Sequence, residues 1–298
     1  MKVALCAIAR FENRYVKEWV DYHLNLGFSH IYLYDNNREN EERISDVIDI
    51  DLAKYRDIVT IVPFHDVTLC PQLKAYNDCY QKTDCDWIAF FDLDEFFTFN
   101  ASSKFSSVAD FVQTVNHQYD AILINWMAFG DNGHCSSGNY SVLSRFTTPL
   151  PMHFSVCNIL GKQPLNGHVK SIVRTGLNVR MSGPHTACGI SQCCNAKGEP
   201  IENNAYQPFI SHEVAYLRHF ITKSIEEFIQ TKGRRPAADS SFSHYSISSF
   251  FWYNKPTIRK LLIYKRYCSE HGLKDERSLL WWIKCWLKMW IITPLCVK

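Results

Sequence analysis

Three carboxylates within four positions, Asp92, Asp94 and Glu95, follow directly on the apolar run Trp87-Ile88-Ala89-Phe90-Phe91 and lead into Phe96-Phe97. Such a run reads as a strand buried on both faces, as in a parallel sheet. Ionised carboxylates where it ends are costly unless paired or bound to a cation. On extended chain Asp92 and Asp94 face one side and Leu93 the other. Two hard oxygen ligands at a strand's carboxyl end, where open α/β sheets bind ligands, suit a divalent ion carrying phosphates. The plain alternative is a strand running into an acidic turn.

The elements that must position these groups are legible upstream. Val3 to Ile8 reads as a strand, and Asn13 to Leu26 as a helix with Val16, Trp19, Val20 and Leu24 at helical spacing, Asn13 as N-cap and Gly27 at the stop. His30 to Tyr34 is a second strand ending in Asp35-Asn36-Asn37. A polar helix is expected around Glu42 to Tyr55, a third strand at Ile58 to Val62, and a helix over about Gln72 to Lys82 before the strand into Asp92. Four such units in succession predict an α/β fold with a doubly wound, mostly parallel sheet. Ligand groups should gather on the loops Ala9 to Glu12, Asp35 to Asn37, His65 to Gln72 and Asp92 to Glu95. A further strand is expected at Ala121 to Trp126, one at Lys170 to Arg174, and a helix near Ser224 to Lys232, with an irregular stretch from His134 to Tyr206. So long a weakly patterned stretch is more often functional than idle, and acceptor recognition is its expected task. The expected division is a domain over 1–235, with a nucleotide-binding half at 1–100 and an acceptor half at 101–235, and a helical C-terminal region at 236–298.

The chain has 298 residues and a net charge of +2, from 32 Lys and Arg against 30 Asp and Glu, so no bulk field points to nucleic acid. The run Val3 to Ala9 is too brief for a signal peptide, so a cytoplasmic start with 12 reduced cysteines is the expectation. Cys188, Cys193 and Cys194 cluster without a CxxC pair, far from zinc-site spacing. The tail Leu279 to Ile292 carries four tryptophans and two lysines. It is too short and too charged to span a bilayer, but it suits a helix lying in the headgroup region of the inner membrane face; a packed terminal helix is the alternative.

Taken in order, several segments resemble GT-A glycosyltransferases, and among them glycosyltransferase family 92 and its bacterial relatives. They are Cys6 to Asn13, Glu18-Trp19-Val20-Asp21-Tyr22-His23, Tyr34 to Asn37, Asp92 to Phe96, Asn125-Trp126 with Phe129-Gly130, and Arg218-His219-Phe220 with Lys223 to Phe228. Arg10 stands where the group usually has lysine. The resemblance covers roughly residues 3 to 235. It implies a GT-A fold, a hexosyltransferase moving sugar from a UDP-linked donor with Mn²⁺ or Mg²⁺ on the diphosphate, and inversion at the anomeric carbon.

On that reading Asp94 holds the metal, Asp92 lies nearer the donor ribose and metal-bound water, and His219 is the third ligand. Ala7, Ala9, Arg10 and Glu12 would hold the nucleoside and phosphate. Asp35 would meet uracil or ribose, with a turn-forming role as the alternative, and Gln72 would read the donor. Lys223, at the start of the helix opened by Ser224, would hold the diphosphate. Trp126, Phe129 and Gly130 look like an acceptor platform, with core packing as the alternative for Trp126. Asp131 leads as general base, with Glu213 and His185 as rivals. The acceptor is expected to be a glycan or a lipid-linked sugar. Two other classes compete: a haloacid-dehalogenase-like phosphotransferase, which also uses Asp-x-Asp after a strand, and a non-catalytic, membrane-associated sugar-binding protein.

Overall fold

The structure is a computed structural model that describes residues 1–66, 70–115, 118–139, 141–155, 163–234 and 249–272, with Leu280, Ile283 and Leu287. The chain divides into two compact units. The first comprises Met1–Trp126 and Gly167–His219; the second comprises Met127–Asn166 and the described parts of Phe220–Ala237 and Phe242–Lys298.

The first unit is built on β1 (Val3–Ala9), α1 (Asn13–Asn25), β2 (His30–Asp35), β3 (Val59–Pro63), α2 (Pro71–Lys82) and β4 (Trp87–Phe90). Then come β5 (Glu95–Phe99), α3 (Val108–Val115) and β6 (Ala121–Phe129), whose last three residues belong to the second unit. The strands order β3-β2-β1-β4, all parallel. The order reverses between β1 and β4, so the crevice at their carboxyl ends is the expected ligand site of an open α/β sheet. The α/β class and mostly parallel sheet expected from the sequence are observed. Helix α1 begins one residue earlier than expected, with Glu12 at the cap and Asn13 inside.

Beyond β4 the sheet continues through β7 (Val169–Arg174), antiparallel to both β4 and β6. Four short strands follow β7 where little regular structure was expected: β8 (Arg180–Met181), β9 (Ala187–Cys188), β10 (Cys193–Asn195) and β11 (Pro200–Ile201). Strand β10 extends the main sheet beside β6. Strand β12 (Ala215–Phe220) runs antiparallel to β5, with His219 opposite Glu95.

One expected element is absent. Residues 42–55 form turns with a single 3₁₀ turn, Ile44–Asp46, instead of a helix. Asp46 accepts from the Arg43 backbone N–H and Asp49 from that of Asp51, local bonds that compete with helix formation. Ile44, Ile48 and Tyr55 are buried all the same, while Leu52 is exposed.

The second unit holds α4 (Val142–Arg145), α5 (Ile225–Gln230), α6 (Phe250–Tyr253) and α7 (Ile258–Glu270). Ile225, Phe228, Phe250, Phe251, Tyr264 and Cys268 form its apolar cluster. Arg145 and Glu227 pair in a buried fork, at 2.9 and 2.6 Å. No helix among the described residues is long and apolar enough to cross a membrane. The tryptophan-rich tail lies outside the described residues except for Leu280, Ile283 and Leu287.

Candidate functional site

Strand β4 stops at Phe90, and Asp92 to Glu95 close a tight turn into β5. The Asp92 N–H donates to Glu95 Oε2 at 2.9 Å, and the Glu95 N–H donates to Asp92 O at 2.9 Å. Helix α1 clamps this turn from behind. Trp19 Nε1–H donates to Glu95 O at 2.8 Å, His23 Nε2 accepts from the Phe97 N–H at 3.2 Å, and Tyr22 Oη donates to Phe97 O at 2.9 Å. The Trp19-x-x-Tyr22-His23 spacing therefore positions the carboxylates, one helical turn of α1 reaching Glu95 and Phe97 of β5.

Both carboxylate oxygens of Asp92 accept hydrogen bonds. Gln72 Nε2 and Tyr76 Oη, both on α2, donate to its Oδ1 at 2.6 and 3.0 Å, and Lys170 Nζ donates to its Oδ2 at 2.9 Å. Lys170 is fully buried and also lies 3.7 Å from Glu95 Oε2. The register explains its arrival. Antiparallel β7 pairs Ile172 with Ala89, so the preceding residues of β7 run past the carboxyl end of β4. The Asp92 side chain keeps 31% exposure, an edge open to a ligand. Burial disfavours the Asp92 carboxylate, but the adjoining Lys170 ammonium outweighs it and holds the carboxyl below its usual range. Burial pushes Glu95 well above its usual range, against the pull of Lys170.

Asp94 points to the other partner expected from the sequence. His219 Nε2 stands 3.6 Å from Asp94 Oδ2, and His219 Nδ1 stands 4.0 Å from Glu95 Oε1. Trp126 packs edge-on to His219 at 4.2 Å and stacks on His168 at 4.9 Å, with His185 at 5.3 Å. Trp126 is 8% exposed, so its rings serve this histidine cluster, in line with the packing alternative. His185 Nδ1–H donates to Val169 O at 2.7 Å; burial, then the Lys170 charge, push its pKa down to about 3.

Among the described residues no three His, Cys, Asp or Glu side chains form a metal-ligand group, which also leaves the Cys188-Cys193-Cys194 cluster without a zinc site. A two-ligand seat is another matter. Neighbouring ligands on an octahedral Mg²⁺ lie about 3 Å apart, and such ions usually take one or two protein ligands plus phosphates and water. Asp94 could supply the carboxylate of such a seat, and His219 Nε2 beside it is a nitrogen that suits Mn²⁺ better than Mg²⁺; Asp92, with both oxygens engaged by protein donors, does not sit as a ligand.

Several other expected site residues make bonds that account for them structurally. Arg10 forks onto Glu41 at 3.0 and 2.7 Å. Asp35 accepts from Asn37 and from the Ile44 N–H, as the turn-forming alternative holds. Gln72 braces Asp92. Ala7 and Ala9 are buried in β1, and Glu12 is the buried cap residue of α1. The α5 N-terminus is closed by a capping box between Ser224 and Glu227, and its first turn carries Glu226 and Glu227. That capping box occupies the helix N-terminus, so Lys223, in the second unit, gains none to work with.

Asp131, also in the second unit, is buried and ion-paired with Lys260, and its N–H donates to Asn254 Oδ1 at 2.6 Å. Burial raises its pKa despite Lys260. The geometry lends it no support as a base. Phe129 packs on Phe220 at 4.9 Å, and a Cβ at Gly130 would meet Asn254 Oδ1 at 2.7 Å, so the glycine admits α6's end. Of the rival bases, Glu213 is a surface residue paired with Lys197 at 3.2 Å.

The model of glycosyltransferase family 92 matches residues 2–175, more than half the chain. The chain belongs to glycosyltransferase family 92. The match includes Asp92, Asp94, Glu95 and Lys170; His219 lies beyond it. Family 92 membership displaces the haloacid-dehalogenase alternative. A family 92 protein of Ricinus communis is 33% identical over 100 residues, 32% of this chain and 17% of the relative. One of Oryza sativa subsp. japonica is 26% identical over 109 residues, 36% of this chain and 18% of the relative. The matched segment thus spans under a fifth of these relatives' own length. Among solved structures, S. aureus TarS 1-349 covers all of this chain and 82% of its own at 14% identity, with a TM-score of 0.38. The same protein in complex with UDP-GlcNAc gives 13% identity and 0.37, with 83% of its own chain covered.

Proposed function

We propose that this family 92 chain transfers a sugar from a nucleoside-diphosphate donor, UDP-linked, to a glycan or lipid-linked acceptor hydroxyl. The observation that carries the reading is the Asp94–His219 pair, 3.6 Å apart beside the β1/β4 switch point. Asp94 and His219 would hold Mn²⁺ or Mg²⁺, which when bound supplies Lewis-acid neutralisation of the diphosphate. The chain's own residues do the rest. Trp19 and His23 fix the carboxylate turn, Gln72, Tyr76 and Lys170 fix Asp92, and the open edge of Asp92 faces the donor ribose. Transfer proceeds with inversion: the acceptor oxygen bonds to the anomeric carbon as that carbon's bond to the diphosphate oxygen breaks, the nucleoside diphosphate leaves, and the hydroxyl proton passes to solvent. A place on the inner face of a membrane, through the tail at 279–292, belongs to the same proposal.

A panel of nucleotide sugars incubated with Mn²⁺, then with EDTA, tests it. Donor hydrolysis or transfer that needs the cation, and that Asp94→Asn removes, is the expected result. Failure of every nucleotide sugar to turn over or bind would favour a non-catalytic sugar-binding protein.

A further inference from the structure

Among the described residues Lys170 is the one fully buried lysine beside the acidic turn, and the function proposed above uses it only to hold Asp92. A buried ammonium needs paired, hydrogen-bonded carboxylates to be tolerated. Here Asp92 sits at 2.9 Å and Glu95 at 3.7 Å. Asp92 has its remaining oxygen engaged by Gln72 and Tyr76. Two carboxylates of the turn are therefore already served by a cation that belongs to the chain, while Asp94 faces His219.

We propose that Lys170 is a resident counter-cation that keeps Asp92 out of the coordination sphere of a divalent ion, confining that ion to Asp94 and His219 and weakening its hold. The inference rests on the metal reading of Asp94 and His219. It makes Lys170 a positioning residue. The physical reasoning is direct: the Lys170 charge acts on Asp94 as well as on Asp92 and Glu95, so it opposes a dication at the seat, and its bond to Asp92 withholds a carboxylate that would otherwise turn inward. A weakly held ion would be recruited chiefly together with the donor diphosphate, which brings its own oxygen ligands.

The test is Mn²⁺ affinity of the full chain without nucleotide, read by electron paramagnetic resonance, for the wild type, Lys170→Met and Lys170→Gln. Both variants remove the charge at near-constant volume, and each is expected to bind Mn²⁺ at least about tenfold more tightly, the size of effect that a charge change close to an ion produces. A lysine with a merely structural role would leave affinity unchanged or lower it. Folded variants that bind no more tightly than the wild type overturn the inference.

Crystals soaked in Mn²⁺ give a second reading, and the wild-type crystal alone decides should both variants fail to fold. Manganese on Asp94 and His219, with Asp92 still bonded to Lys170, supports the proposal; manganese on Asp92 with Lys170 displaced overturns it. Manganese absent from the soaked wild type but present in a variant also supports it. Absence from all of them defeats the metal reading itself, and the inference with it. Manganese in the wild type with unchanged variant affinity defeats the inference alone.

Discussion

His23 offers a quantitative handle on the clamp behind the carboxylate turn. The ring is fully buried between α1 and β5; Nδ1–H donates to Trp19 O at 2.8 Å and Nε2 accepts from the Phe97 N–H. Burial, partly offset by the bond to Trp19, lowers its pKa to about 3. Protonation would also turn Nε2 into a donor facing the Phe97 donor. Between about pH 3 and 6.5 the unfolded chain binds a proton on this ring that the folded chain does not, so acid favours unfolding. The contribution is complete above the unfolded value and is lost as pH falls through that window. Linkage gives a loss of about 2 kcal/mol between about pH 7.5 and pH 5, rising toward about 5 kcal/mol near pH 3. Urea titrations at several pH values, extrapolated linearly, measure it. His23→Gln keeps a donor and an acceptor but does not titrate, which isolates this ring from the other acidic groups. The wild type should lose about 2 kcal/mol more than the variant over that range. Equal pH slopes for the two proteins would refute the argument.

Other expectations follow from single contacts. Trp19→Phe leaves the Glu95 carbonyl without its indole donor and should cost about 1–3 kcal/mol, read by urea unfolding. Arg145→Met leaves Glu227 buried without its fork and should cost about 3–5 kcal/mol in the same assay. Gly167→Ala would place a Cβ 2.3 Å from the Tyr206 ring and 2.8 Å from Gln207 O, so thermal unfolding should show a destabilised protein, by about 1–3 kcal/mol. In each case wild-type stability would count against the contact named.

The sequence carried the sheet because its units are local. β1, α1, β2, α2 and β4 each declare themselves within a window of a dozen residues, by buried runs or helical spacing. The proximity of Asp94 and His219 was readable only through the resemblance to GT-A enzymes, which implies a late histidine beside the carboxylate motif. What escaped depends on register between distant segments. Lys170 is one residue of a short strand until β7 is seen to run antiparallel against β4. The roles of Trp19 and His23 appear only when α1 meets β5, and β5 itself was hidden in the aromatic run after Glu95, a composition that suits strands. Arg10, Asp35 and Gln72 looked like ligand contacts because they sit on the right loops. Their partners, Glu41, Ile44 and Asp92, lie 9 to 31 residues away. Residues 42–55 show the reverse: a polar helix was expected between two strands, and aspartates bonding to nearby backbone made turns.

Calorimetric titration of UDP into the wild type and Asp94→Asn, each with Mn²⁺ and with EDTA, reaches the core of the account most directly. The wild type should bind UDP at least about tenfold more tightly with Mn²⁺ than with EDTA, the gain expected when a dication bridges carboxylate and diphosphate. Asp94→Asn should lose that gain while keeping its fold. Equal UDP affinity with and without the cation, or an undiminished gain in Asp94→Asn, would contradict it.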